Sequence, residues 1–70
     1  MKVLILGGNG MLGPWVVDAF GDRHQLRITD IGDPPETKHD WRQLDVSSLD
    51  DVVNAAEGMD AIINLSVLRP

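Results

Sequence analysis

The sequence predicts an α/β domain, half of a doubly wound parallel sheet with the element order β-α-β-β-α-β. Three features carry that expectation. The short, unbroken apolar run at residues 3–6 suits a central parallel strand buried on both faces. Stretches with apolar residues at helical spacing separate the strand-like runs. Clusters of glycine, proline, serine and aspartate punctuate the joins.

Residues 3–6, Val-Leu-Ile-Leu, form the first strand, and Gly7, Gly8 and Gly10 end it. Residues 11–20 predict a helix whose buried face holds Leu12, Trp15, Val16, Ala19 and Phe20. Pro14 suits its first turn, where a missing N–H leaves no intrahelical acceptor unpaired. Gly21 stands where a helix end favours a left-handed residue. Residues 25–30 predict a strand with Leu26 and Ile28 on one face. Residues 31–40, with Gly32, Pro34 and Pro35, are too short for an ordinary parallel crossover of about a dozen residues, so an irregular connection is expected. A third strand follows at residues 41–46. Ser47 and Ser48 are natural helix caps, with Asp51 in the place of a weak capping box. Leu49, Val52, Val53 and Ala56 then repeat at i, i+3, i+4 and i+7, predicting a second amphipathic helix closed by Gly58. Residues 61–65 are the fourth strand.

Composition excludes several functions. The chain has 70 residues, one domain at most, and a formal net charge of −5 with six scattered lysines and arginines. That balance argues against a nucleic-acid surface. No cysteine is present, which removes disulfides and thiolate metal sites and fits a reducing, cytoplasmic setting. His24 and His39 have no ligands at metal spacing, so no metal is expected. No apolar run approaches the ~20 residues of a membrane span, and the apolar run near the start is too short for a signal peptide. Ordering each residue costs about 1.5 kcal/mol, so so small an uncrosslinked chain is expected to be part of something larger.

Residues 7–13, Gly-Gly-Asn-Gly-Met-Leu-Gly, satisfy two glycine patterns at once. Gly8, Gly10 and Gly13 give G-x-G-x-x-G, and Gly7, Gly10 and Gly13 give G-x-x-G-x-x-G. Either alone is weak, but here a buried strand precedes, a helix follows and an acid ends the next strand. The first glycine allows a sharp turn, Gly10 admits a pyrophosphate to the backbone, and Gly13 lets the helix pack on the sheet. Amides at the helix start, near Met11 and Leu12, face the anion with the helix dipole behind them. No lysine follows the glycines, which excludes a P-loop. Asp30 lies 20 residues after Gly10. There it is placed to accept hydrogen bonds from ribose hydroxyls and to repel a 2′-phosphate, favouring NAD over NADP. The other reading of Asp30 is a solvated strand-end aspartate, and Arg23 or Arg27 keeps NADP open. Residues 1–70 are thus expected to form a partial Rossmann-type NAD(P)-binding domain with no second domain.

Residues 3–13, together with Asp30, Leu44-Asp45-Val46 and residues 59–66, resemble the start of the NAD-dependent epimerase/dehydratase family, the extended short-chain dehydrogenases. The resemblance covers essentially the whole chain, and the order and spacing of four segments make it fairly specific. It departs at Leu6, where threonine is common, at Met11-Leu12, where an aromatic-isoleucine pair is usual, and at Asn64, where a histidine often stands. The resemblance implies that Asp45 and Val46 meet the adenine edge and that Leu65 and Ser66 line the path to the nicotinamide ribose. On residue chemistry alone, Asp45 reads equally as a loop aspartate and Ser66 as an ordinary strand end. It also implies a small-molecule substrate such as a nucleotide sugar, and a homodimer as one arrangement of an intact enzyme. The cofactor-binding set is therefore Gly7, Gly10, Met11, Leu12, Gly13, Asp30, Asp45, Val46, Leu65 and Ser66.

No catalytic residue is expected within the chain. The family moves protons with a Tyr-x-x-x-Lys pair, and this sequence contains no tyrosine. Ser47 and Ser48 have no histidine placed to activate them, Asp50 and Asp51 suit a helix start, and Trp15 and Trp41 suit packing. Two functions fit: the cofactor-binding segment of an epimerase, dehydratase or reductase, or a non-catalytic nucleotide-sensing module of the same fold. A methyltransferase ranks below both, because Leu6 stands where that class has an acid before its glycines.

Overall fold

In the computed structural model, residues 1–8, 12–32 and 37–66 are described. Among them, β1 (Lys2–Leu6), β2 (Gln25–Asp30), β3 (Asp40–Gln43) and β4 (Ala61–Asn64) form one parallel sheet in the order β3-β2-β1-β4. Two helices accompany it, α1 (Gly13–Phe20) and α2 (Leu49–Ala56). The path explains the two faces. β1-α1-β2 steps one strand in one direction, whereas β3-α2-β4 returns across β2 and β1 to the far side. Crossovers of one hand that travel in opposite directions put their helices on opposite faces.

The core divides accordingly. Val3, Ile5, Leu26 and Ile28 are buried on the α1 face, against Val16, Val17 and Trp41. Leu4, Leu6, Leu44 and Ala55 are buried on the α2 face, against Val46, Val52, Ala56 and Met59. β1 is covered on both sides, as its unbroken apolar run requires. The fully buried Thr29 is satisfied by donating its hydroxyl to the Ile5 carbonyl at 3.0 Å. Arg27 ties the α2 face together. Its Nε donates to Asp40 at 3.0 Å, and its Nη1 donates to the carbonyls of Ala55 at 2.7 Å and Glu57 at 3.2 Å. α2 has no basic residue in its own last turn, so this guanidinium supplies the positive charge that the helix end favours.

Several expectations require correction. Trp15 is not core: it is 76% exposed, and Leu12 (61%) and Ala19 are exposed with it. α1 packs through Gly13, Val16 and Val17, because Gly13 seats against the sheet-side turn and residues three and four positions on share its face. α2 is likewise rotated from its expected face. Leu49 and Val53 are exposed, and Val52, Ala55 and Ala56 pack. Gly21 is right-handed (φ −64°), and what it avoids is contact, since a Cβ there would lie 2.7 Å from the Val17 carbonyl oxygen and 3.2 Å from the His39 ring. β3 ends at Gln43 rather than Val46, and β4 at Asn64 rather than Leu65. Ser48 holds the N-cap position of α2, yet its side chain makes no capping hydrogen bond, and the hydroxyl of Ser47 turns back to Asp45 instead. Met11, where the first helix was expected to begin, lies outside the described residues.

Candidate functional site at the carboxyl edge of the sheet

The chain runs outward from β1 to β2 and β3 on one side, then crosses to β4 on the other. β1 and β4 are therefore neighbours at the point where strand order reverses, and ligands of open parallel sheets bind beyond the carboxyl ends of such strands. Hydrogen bonds lace the strand ends there into one continuous edge. The Gly7 and Gly8 amides both donate to the Thr29 carbonyl, at 2.9 and 3.0 Å, and the Leu65 amide donates to the Leu6 carbonyl at 2.8 Å. The Leu44 amide donates to the Asp30 carbonyl at 2.8 Å. Ser66, Gly7, Asp30 and Asp45 are thereby set in sequence along one rim.

The glycines are dictated by contact. Gly7 has φ +81°, a left-handed conformation that side chains disfavour, and a Cβ there would lie 2.8 Å from the Ser66 backbone nitrogen. A Cβ at Gly8 would overlap the Ile28 side chain, and one at Gly13 would overlap the Gly8 carbonyl. Gly13 thus brings the start of α1 directly onto the turn that leaves β1. The role of Gly8 was legible only as a member of the first glycine pattern; its contact with Ile28 is a long-range fact. Leu12 occupies the N-cap position of α1, has no side-chain capping bond and passes its carbonyl to the Val16 amide at 3.1 Å. No acidic residue lies in the first turn of α1. Gly10 and Met11 lie outside the described residues.

The remaining candidates occupy the flanks. Asp30 ends β2, half-buried, with Oδ1 accepting the Ile31 amide at 2.6 Å. Asp45 follows β3 and is exposed; its Oδ1 accepts both the Ser47 amide at 2.9 Å and the Ser47 hydroxyl at 2.7 Å. Those two bonds, the backbone one foremost, hold its carboxyl below the usual 3.8. Val46 is half-buried against the α2-face core, and Leu65 against the α1-face core. Ser66 donates its amide to Asn64 Oδ1 at 3.0 Å and its hydroxyl to the same oxygen at 2.5 Å. The structure therefore brings Gly7, Leu65 and Ser66 into contact and sets Asp30 and Asp45 along the same edge. Arg23, in contrast, lies in the turn after α1, at the opposite edge, and Arg27 is engaged with Asp40 and α2. Among the described residues there is no group of three or more metal-ligating side chains, and no helix long and apolar enough to cross a membrane.

No protein-family model and no curated protein matches the sequence. Solved structures do. A uronate dehydrogenase from Agrobacterium tumefaciens superposes with a TM-score of 0.80 at 27% identity, over 99% of this chain and 28% of its own. A UDP-N-acetylglucosamine 4-epimerase from Bacillus cereus gives 0.77 at 27% identity, over 100% of this chain and 24% of its own. A glucuronic acid dehydrogenase from Chromohalobacter salexigens gives 0.79 at 27% identity, over 99% of this chain and 28% of its own. The chain thus spans about a quarter of the length of these neighbours. Strand order and the end-to-end superposition agree: the chain is similar to one segment of these dehydrogenases and epimerases, structure neighbours of the NAD-dependent epimerase/dehydratase family.

Proposed function

We propose that the chain holds NAD along the carboxyl edge of its sheet, as the cofactor-binding segment of a dehydrogenase or epimerase acting on a nucleotide sugar or similar small molecule. One observation carries this reading: α1 begins against a glycine turn at the sheet's switch point and has no acid in its first turn. Its positive end is left for an external anion, which a pyrophosphate supplies. Gly7, Gly13 and the segment through Gly10 and Met11 would hold that group, with Leu12 beside it. Asp30 would accept from the adenosine ribose, Asp45 and Val46 would meet the adenine, and Leu65 and Ser66 would border the nicotinamide ribose. Arg27, the cation best buried in this half of the sheet, is bound to Asp40 and to α2, which supports NAD over NADP. When bound, the dinucleotide supplies a hydride donor or acceptor. The chain has no tyrosine, so the family's Tyr-x-x-x-Lys proton transfer is not performed by these residues.

Calorimetric titration of the chain with NAD and NADP tests the proposal. NAD is expected to bind more tightly, and Asp30→Ala to shrink the difference by about tenfold, the order of one charge-assisted contact. Tighter binding of NADP by the parent chain, or no binding of either, overturns it.

A further inference from the structure

Two side-chain clamps of the same construction stand at the two ends of the rim, after the outermost strands. After β3, Asp45 Oδ1 accepts the amide and hydroxyl of Ser47; after β4, Asn64 Oδ1 accepts the amide and hydroxyl of Ser66. The second clamp has a consequence the first lacks. The backbone of Ser66 is the surface against which Gly7 turns, close enough that a Cβ on Gly7 would meet its nitrogen at 2.8 Å. Whatever fixes Ser66 also fixes the wall of the glycine turn.

We propose that Asn64 is a positioning residue for the cofactor: its amide oxygen orients the Ser66 hydroxyl and holds the β4 end against Gly7. This rests on the reading that the chain binds NAD. The hydrogen-bond chemistry leaves little choice of orientation. A backbone N–H only donates, so the Asn64 atom facing it is the oxygen, and the Ser66 hydroxyl spends its single proton on that same oxygen. The lone pairs of Ser66 Oγ then point away from Asn64 as acceptors, matched to a ligand hydroxyl such as that of a ribose. A histidine at this place, with one acceptor nitrogen when neutral, does not accept both bonds at one atom as this oxygen does. Asn64 therefore gives this chain a particular way of presenting Ser66.

The test is a double-variant cycle read with two ligands. NAD spans both halves of the proposed site, whereas adenosine, which has no phosphate for the glycine turn, reaches only the half at Asp30 and Asp45. Asn64→Ala is expected to weaken NAD about three- to tenfold, the worth of one net hydrogen bond, and to leave adenosine unchanged. Ser66→Ala is expected to do the same. The double variant is expected to lose no more than the larger single loss, because both remove one interaction. Losses that add, an equal fall in adenosine affinity, or NAD affinity unchanged by Asn64→Ala each overturn the positioning role while leaving NAD binding standing. A parent chain that binds neither ligand overturns the functional reading itself, and the positioning role with it.

Discussion

The two strand-to-helix junctions solve one problem by opposite means. Leaving β1, the chain reaches α1 by discarding side chains. Gly7 takes a left-handed turn, Gly13 seats on the Gly8 carbonyl, and the helix starts with neither a side-chain cap nor an acid. Leaving β3, the chain reaches α2 by using side chains. Asp45 binds Ser47 twice, and Asp50 and Asp51 lie in the helix's first turn. The positive end of α2 is thus compensated from within the protein, and that of α1 is not. The comparison explains why the start of α1, and not that of α2, is the one proposed to take an anion.

The sharpest way to break the comparison is at the first residue of each helix. Gly13 opens α1 and is buried, whereas Leu49 opens α2 and is 73% exposed. A single methyl at Gly13 has to displace the helix from the turn, and overpacking of this kind costs about 1–3 kcal/mol. Removing most of the Leu49 side chain is expected to cost under about 0.5 kcal/mol, as for other surface changes. Urea unfolding of Gly13→Ala and Leu49→Ala measures both. Midpoints shifted equally for the two variants would mean that the junctions do not differ in the way described.

Charge offers a smaller and more informative test. Trp15 lies in the first turn of α1 and is 76% exposed, so Trp15→Glu adds the missing acid with little loss of packing. It is expected to stabilise the helix by about 0.3–1 kcal/mol while weakening NAD, since stability and anion binding draw on the same helix end. Asp50→Asn with Asp51→Asn in α2 is expected to lower stability by a similar amount per charge and leave NAD affinity alone. Paired thermal melts and titrations decide it. If Trp15→Glu leaves NAD affinity unchanged, the anion does not sit at α1.

Trp15 also marks where sequence reading reaches its limit. β1 was legible because its apolar run and the glycines that follow it are local signals. The order of elements, the glycine turn and the acid ending β2 were legible for the same reason. Which face of each helix packs was not. α1 carries apolar residues nearly all round, so Leu12, Trp15 and Ala19 form as regular a stripe as Gly13, Val16 and Val17. The choice between them is made by the contact of Gly13 with Gly8, which spacing does not reveal. In α2 the smaller Ala55 outcompetes Leu49 and Val53 for the sheet because Arg27 holds that helix by its last-turn carbonyls. The early end of β3 has a similar cause: Asp45 folds back on Ser47 and takes the chain out of the strand.

The smallest effect distinguishes the two clamps themselves, because one titrates and the other does not. Asp45 is held below its ordinary 3.8 by the Ser47 amide and hydroxyl, whereas Asn64 makes the same pair of bonds with a neutral amide. A carboxyl whose folded value is depressed takes up a proton in the unfolded chain first as pH falls, so the unfolded state binds more protons and stability rises with pH across that interval. The contribution of the Asp45 clamp is therefore complete above 3.8 and lost as pH falls through its lower folded value. Asp45→Asn keeps an acceptor oxygen for Ser47 and removes the titration, turning the first clamp into a copy of the second. Stability measured from neutral pH into acid is expected to fall less steeply for Asp45→Asn than for the parent below about 4, with the remaining carboxylates contributing equally to both. Asn64→Ala, in contrast, is expected to lower the whole curve without changing its shape. Superimposable acid limbs for the parent and Asp45→Asn would show that the Ser47 bonds do not favour the charged form, and the two clamps would then be equivalent in all but charge.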